Sequence, residues 1–192
     1  LKCLIAHADL AAAGGAEAYA HAIQTALETA GHSVGVLDIS GHTCPAGTRK
    51  TPWLLVLGAL PFAKRFILWK YALVCRVLPS ISKSYDRVFL TFGEGPPLSR
   101  RHLRVLHAPS VFSGHPALLT VLGARGSTLR LRQFYAKICR FVARPTMGDV
   151  PHQTTVANSH WTAQTARQHF RLPAVQILYP KVVAPPLPQA PR

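Results

Sequence analysis

Lys2-Cys3-Leu4-Ile5-Ala6, then Gly14-Gly15-Ala16-Glu17, then Gly31, then Ser33-Val34-Gly35-Val36-Leu37-Asp38: the reading of these 38 residues decides the fold class. The first run is short and apolar, the mark of a buried strand. Asp9 to Gly15 is a loop of small residues. From about Ala16 to Ala30, Tyr19, Ile23, Ala26, Leu27 and Ala30 recur on one face and Glu17, His21, Gln24 and Glu28 on the other, the spacing of an amphipathic helix. Gly31 stands where a left-handed cap ends a helix, and Ser33 to Asp38 is a second strand. Strand, loop, helix, glycine and strand make a βαβ unit, with parallel strands and a right-handed crossover.

The pattern continues outward from this unit. Tyr85 to Phe92 reads as a strand, followed by the tight Gly93-Glu94-Gly95-Pro96-Pro97 loop, and Arg104 to Ala108 is a short strand stopped by Pro109. Leu129 to Val142 is a basic helix. Thr154 to Ala157 is a strand, Asn158-Ser159 a turn, His160 to Phe170 a helix with Ser159 as N-cap, and Val175 to Tyr179 a strand ended by Pro180. This alternation predicts a Rossmann-like, doubly wound α/β fold with a mainly parallel sheet and the first strand near its middle. One domain over residues 1–183 is expected, followed by a Pro-rich linker over 184–192 that holds Pro185, Pro186, Pro188 and Pro191. Trp53 to Leu78 is apolar but broken by Pro61, Lys64, Arg65, Lys70 and Arg76, which excludes a spanning helix.

At 48% hydrophobic, the 192 residues can bury a sizeable core, which excludes general disorder. Cys3, Cys44, Cys75 and Cys139 form no CxxC pair, so free thiols in a reduced, cytoplasmic compartment are expected. His42 and Cys44 fall short of the three or four ligands of a zinc site, and no metal is expected. The formal charge of +15 is concentrated: Arg49 to Arg144 holds 17 Lys or Arg against Asp86 and Glu94, while the rest of the chain holds five bases and five acids. Such a field attracts an anionic leaflet or a nucleic acid, although it also suits a plain soluble face. No helix-turn-helix, zinc or RNP signature accompanies it, so no nucleic acid is expected. A basic nucleic-acid-binding or other anion-binding α/β module is the rival reading.

In such sheets ligands bind beyond the carboxyl ends of the strands, which directs attention to Ala11–Ala16, Gly93–Pro97, His107–Ser113 and Asn158-Ser159. Gly14-Gly15 before a helix allows close backbone approach and favours an anion. The run Gly14-Gly15-Ala16-Glu17-Ala18-Tyr19 does not match the G-x-G-x-x-G of dinucleotide folds. Asp38 suits either a ribose or the cap of the next turn. His107 reads equally as a buried histidine closing a strand, Asn158 and Ser159 as a helix cap, and Trp161 as core.

Taken together, Gly14-Gly15-Ala16-Glu17, Gly93-Glu94-Gly95, His107-Ala108-Pro109, Asn158-Ser159-His160-Trp161-Thr162-Ala163 and the strand ending in Tyr179-Pro180 resemble glycosyltransferase family 4. Lys181-Val182 stands where that family often has Pro-Val. The nearest members in kind are mannosyltransferases acting on lipid-linked acceptors. The resemblance implies the acceptor-side N-terminal lobe of a two-lobed GT-B enzyme that retains the anomeric configuration and needs neither metal nor cofactor. Gly14 and Gly15 would approach the donor diphosphate and the reacting sugar. His107 would face the reaction centre and donate a hydrogen bond there, Glu94 would bind acceptor hydroxyls, and Asn158 and Ser159 would lie at the ligand. The Glu-x7-Glu pair of the donor lobe is not found: eight residues after Glu17, Glu28 and Glu94 stand Thr25, Val36 and His102. The nucleotide-sugar is therefore expected to bind mainly a C-terminal lobe outside this chain, which alone would be inactive. Lipid-linked acceptors give the basic stretches Phe62–Val77 and Leu129–Arg144 a reason: peripheral contact with the anionic cytoplasmic membrane face.

Overall fold

The βαβ unit forms with bounds within one residue of the pattern: β1 (Lys2–Ala6), α1 (Gly15–Thr29) and β2 (Ser33–Asp38). The computed structural model describes residues 1–12, 14–60, 66–99, 101–107, 126–145, 153–170, 172 and 175–179. The linker expected over 184–192 and the Ala108-Pro109 and Pro180 positions lie outside the described residues. After β2 come β3 (Gly41–Thr43), β4 (Arg49–Lys50), a 3-10 turn (Trp53–Leu55), α2 (Val56–Ala59) and α3 (Ile67–Ser82). Then follow β5 (Arg87–Leu90), β6 (His102–Leu106), α4 (Gly126–Ala143), β7 (Gln153–Ala157), α5 (His160–Phe170) and β8 (Val175–Ile177).

Helix α1 stops for the reason its sequence suggests. Gly31 takes φ +76, its N–H donates to Glu28 O at 3.0 Å, and His32 N–H donates to Leu27 O at 3.0 Å. This bond pair closes a helix through a left-handed residue, which glycine adopts without steric cost.

The sheet order is β4-β3-β2-β1-β5-β6-β7-β8. From β2 through β8 all neighbours are parallel, whereas β3 and β4 fold back antiparallel at one edge. Strand β1 lies centrally, which is why Cys3 to Ala6 are buried on both faces. The chain leaves β1 in one direction for β2 and later returns to β1's other side for β5. Because crossovers are right-handed, this reversal puts α1 on one face and α3 on the other. Tyr19 of α1 accordingly packs on Val105 and Val156, while α3 and α4 cover Leu4, Ala6, Val88 and Leu90.

Three expectations need correction. Ala26 and Ala30 are exposed, because α1 meets the sheet chiefly through Tyr19 and Ala20 with Ile23 and Leu27 beside them. Trp161 is not core: the small residues Thr162, Ala163 and Ala166 let α5 lie close to the sheet and turn Trp161 outward, 60% exposed. The strand read over Tyr85–Phe92 narrows to Arg87–Leu90, since Tyr85 closes α3 through its N–H to Ser82 O at 3.1 Å; the strand read over Arg104–Ala108 is His102–Leu106 and the one over Val175–Tyr179 is Val175–Ile177.

Candidate functional site

His7, Thr91, His107 and Asn158 are each the first residue beyond β1, β5, β6 and β7. Three of their N–H groups extend the ladder by one bond: His7 to Leu37 O at 2.9 Å, Thr91 to Ala6 O at 3.0 Å and Asn158 to Leu106 O at 3.1 Å. Their side chains therefore leave a rigid sheet edge, at its carboxyl end. The strand order reverses between β1 and β5, which makes the gap between His7 and Thr91 the topological switch point, where open α/β sheets bind ligands.

Across that gap His7 Nδ1 lies 2.8 Å from Thr91 Oγ1, and His7 Nε2 lies 3.2 Å from Glu17 Oε1 in the first turn of α1. The Thr91 hydroxyl is also 3.0 Å from Ala6 O. When it donates to Ala6 O, His7 Nδ1–H donates to Oγ1 and a second proton must lie between Nε2 and the Glu17 carboxylate. When it donates to Nδ1, Nε2–H itself points at Glu17. Both arrangements place a proton on the line from His7 to Glu17. His7 is fully buried and the Glu17 side chain is only 17% exposed, so this pair is shielded from bulk water.

His107 stands beside this relay. Its ring meets Tyr19 edge-on, with centroids 5.2 Å apart at 83°. Burial lowers its pKa, nearby His7 lowers it further, and Glu17 and a hydrogen bond to the Thr91 backbone oppose them. The imidazole is therefore neutral near pH 7. The Thr91 bond takes one ring nitrogen. The other, Nε2, is buried with no hydrogen-bond partner among the described residues, and so is the hydroxyl of Tyr19. Burial raises the Tyr19 pKa and keeps that hydroxyl protonated. A ring nitrogen that accepts and a phenol that donates, both buried, suit the hydroxyl of a polyol, which can satisfy both. With the Thr91 backbone taking one ring nitrogen, Nε2 is the nitrogen of the neutral ring left to meet a hydrogen-bond partner.

The two glycines differ. Gly14 is the N-cap of α1 with φ −154, an extended conformation open to any residue. A Cβ there would collide with the Glu17 carboxylate, whereas one on Gly15 would meet nothing within 4 Å. Gly14 thus makes room for Glu17, and Gly15 borders open space at the helix N-terminus. Glu94 sits beyond β5, buried beneath its loop, with its carbonyl 3.8 Å from Cys75 Sγ. Asn158 and Ser159 satisfy each other's helix. Asn158 Nδ2 donates to His107 O at 3.2 Å, which holds the His107 peptide, and its Oδ1 accepts from Thr162 Oγ1 at 2.9 Å. Ser159 Oγ accepts from Thr162 N–H at 3.1 Å, a true N-cap.

Gly14, Gly15, His107, Asn158 and Ser159 come to one edge of the sheet, and Glu94 lies buried behind it. Sequence reading passed over His7 and Thr91 and took Tyr19 for core alone. One signal was present: His7 follows its strand just as His107 follows its own. Asp38 turns inward as a cap, accepting from Ser40 N–H at 2.9 Å, from Ser40 Oγ, and from Leu10 N–H at 3.4 Å. The four cysteines are free thiols. Among the described residues no three His, Cys, Asp or Glu converge as a metal site. Open grooves of about 440 Å³ and 490 Å³ lie at the opposite edge, lined by Lys2, Ser33 and Asp86 in one case and by Arg87, His102 and Gln153 in the other. The switch-point rule and the unsatisfied buried atoms favour the carboxyl edge over both.

The chain matches no protein-family model and no curated protein.

Proposed function

We propose that this chain is the acceptor-binding lobe of a retaining, metal-independent glycosyltransferase, working on a lipid-linked sugar acceptor at the cytoplasmic membrane face. The observation that carries the reading is the pair of unsatisfied buried atoms, His107 Nε2 and Tyr19 Oη, at the carboxyl edge beside Gly15. Sugar hydroxyls are both donors and acceptors, which is the chemistry these two atoms call for. An anion fits the N-terminus of α1, where Gly15 leaves room for a diphosphate. In this reading His107 Nε2 orients a sugar hydroxyl, Tyr19 donates to it, and the Thr91–His7–Glu17 relay holds the wall against which His107 rests. The nucleotide-sugar is held mainly by a second lobe that faces this edge, and both lobes are needed for transfer.

The test is equilibrium binding of the chain to water-soluble glycosyl phosphates, to nucleotide-sugars and to a nonspecific DNA duplex. Glycosyl phosphate binding that His107→Ala abolishes, with the melting temperature retained, supports the reading. Tight duplex binding with no glycoside binding favours the anion-binding module instead, the class to which the net charge of +15 also points. Loss of thermal stability in His107→Ala, with glycoside binding unchanged, makes His107 a core histidine.

A further inference from the structure

Helix α4 carries two apolar faces, and the core uses only one. Ala136, Cys139 and Ala143 pack with α3 in the main core, with Tyr135 and Val142 beside them. On the other side Leu131, Phe134, Ile138 and Phe141 recur at i, i+3, i+7 and i+10, and they are 70%, 61%, 42% and 77% exposed. This is a stripe along a helix of 18 residues, about 27 Å long at 1.5 Å per residue. Phe66 at the start of α3 is also exposed and extends it, with its ring 5.4 Å from that of Tyr135. Arg130, Lys137 and Arg144, at i, i+7 and i+14, run along one side of the stripe, and Arg140 stands next to them, all four exposed. No Asp or Glu occurs between Glu94 and Asp149.

The structure also removes other bases from consideration. Arg104 is fully buried and hydrogen-bonds Thr155 Oγ1 at 3.2 Å. Lys70 is paired with Asp9 at 2.5 Å. The apolar face of α3 (Leu68, Ala72, Leu73, Val74, Cys75, Leu78) lies in the core, and Trp69 packs against it. Among the described residues of the two basic stretches, α4 presents the larger set of exposed apolar groups, Leu131, Phe134, Ile138 and Phe141, beside unburied charge.

We infer that α4 is the docking face for an anionic bilayer surface, with Phe134, Phe141 and Leu131 in the interface and the basic row at headgroup level. This inference deepens the membrane part of the proposed function and rests on it. A bilayer accounts for both halves of the pattern: apolar side chains enter the headgroup boundary while a single-sign row meets anionic lipid. A nucleic acid would use the charge but not four large apolar groups. A second copy docked stripe to stripe would use the apolar groups but would offer the basic row no acidic partner from the same helix, which holds no Asp or Glu. No described helix is long and apolar enough to cross a membrane, so α4 lies on the surface. Its attachment is firm, since the Trp69 N–H donates to Tyr135 Oη at 2.9 Å. Lys70, the next residue, holds the loop that leads from β1 to the site, through Asp9. Docking through α4 therefore brings the site edge close to the leaflet that carries a lipid-linked acceptor.

The test is co-sedimentation of the whole chain with vesicles of phosphatidylcholine alone and with added phosphatidylglycerol, over a salt series. Two variants accompany it, Phe134→Ser with Phe141→Ser, and Arg130→Gln with Lys137→Gln and Arg140→Gln, each checked for an unchanged circular dichroism spectrum. The expected result is preference for anionic vesicles with a salt-resistant remainder. The basic-row variant should lose about fivefold in partition for each charge removed, and the phenylalanine variant should lose the salt-resistant remainder. Equal or absent binding to both vesicle types overturns the inference. So does retention of binding by both variants, or a phenylalanine variant whose only effect is to abolish a monomer–dimer equilibrium in sedimentation velocity. Vesicle binding without glycosyl phosphate binding would leave docking intact and remove the transferase reading, and the reverse pattern would do the opposite.

Discussion

Replacing Gly14 with alanine tests why two glycines precede α1. The φ of −154 at Gly14 makes no demand for glycine, so any cost must come from what the new Cβ meets. It meets the Glu17 carboxylate, whose Cδ would lie at 3.5 Å. A carboxylate at the end of a flexible side chain swings away more readily than a helix shifts, so the casualty is the 3.2 Å contact from Glu17 Oε1 to His7 Nε2. A hydrogen bond to a charged group contributes about 1.5–3 kcal/mol. The Glu17 side chain is 17% exposed, and partial solvation reduces that to about 1–2 kcal/mol. Alanine is also a poorer N-cap than glycine, by about 0.5 kcal/mol. The sum, about 1.5–2.5 kcal/mol, lowers Tm by about 3–10 °C for a domain of this size. The assay is a double-mutant cycle of thermal melts on the parent chain, Gly14→Ala, Glu17→Ala and the combination. In the Glu17→Ala background only the capping cost should remain, so the coupling energy should be about 1–2 kcal/mol. Equal costs of Gly14→Ala in both backgrounds would refute the assignment of that space to Glu17.

Gly35→Ala should be more damaging, because a Cβ there runs into the Tyr85 ring, 2.8 Å from Cζ, and displaces an Oη held by His42 Nε2 at 2.6 Å. Overpacking together with a lost hydrogen bond costs about 2–4 kcal/mol, readable as a drop in urea midpoint at constant m-value. Ser159→Ala removes the N-cap of α5 and should cost about 1 kcal/mol, whereas Ser159→Asp should retain most of it, both measured by urea unfolding. Stability should fall as pH falls below 6.5, because burial lowers the pKa of His42 and His107 from that value in the folded chain. The unfolded chain takes up those protons first, so the loss spans the window from 6.5 down to the lowered folded values. His42→Gln and His107→Gln should each flatten the unfolding free energy measured from about pH 5 to 7.

Much of the fold was legible because its signals are local. Strands β1 and β2 and helix α5 have their predicted bounds, and α1 nearly so, since hydrophobic period, Gly31 and Ser159 act within a few residues of chain. The parallel sheet followed from alternation alone. Where local pattern and packing compete, packing prevailed. Trp161 has the look of a core residue, but the narrow face of α5 that meets the sheet is filled by Thr162, Ala163 and Ala166. In α4 the same apolar content serves two faces, and composition cannot divide a helix between core and surface. Arg104 counts as surface charge in a sequence total and is fully buried in the fold.

By itself, the sequence determined the first βαβ unit, the parallel alternation that follows and the central position of β1, because chirality and periodicity need no partner, whereas the short β3, β4 and α2 were not read from it. It singled out His107 but not its state. Only tertiary structure decided that His7, Thr91, Glu17, Tyr19 and His107, up to 100 residues apart, meet at one switch point. The reason is that a side chain's chemistry depends on what surrounds it. Thr91 ties His107 by its backbone and His7 by its hydroxyl, Tyr19 closes on the ring, and burial leaves Nε2 neutral and without a partner among the described residues. None of those neighbours is near in the chain, so no reading of spacing alone could assign them.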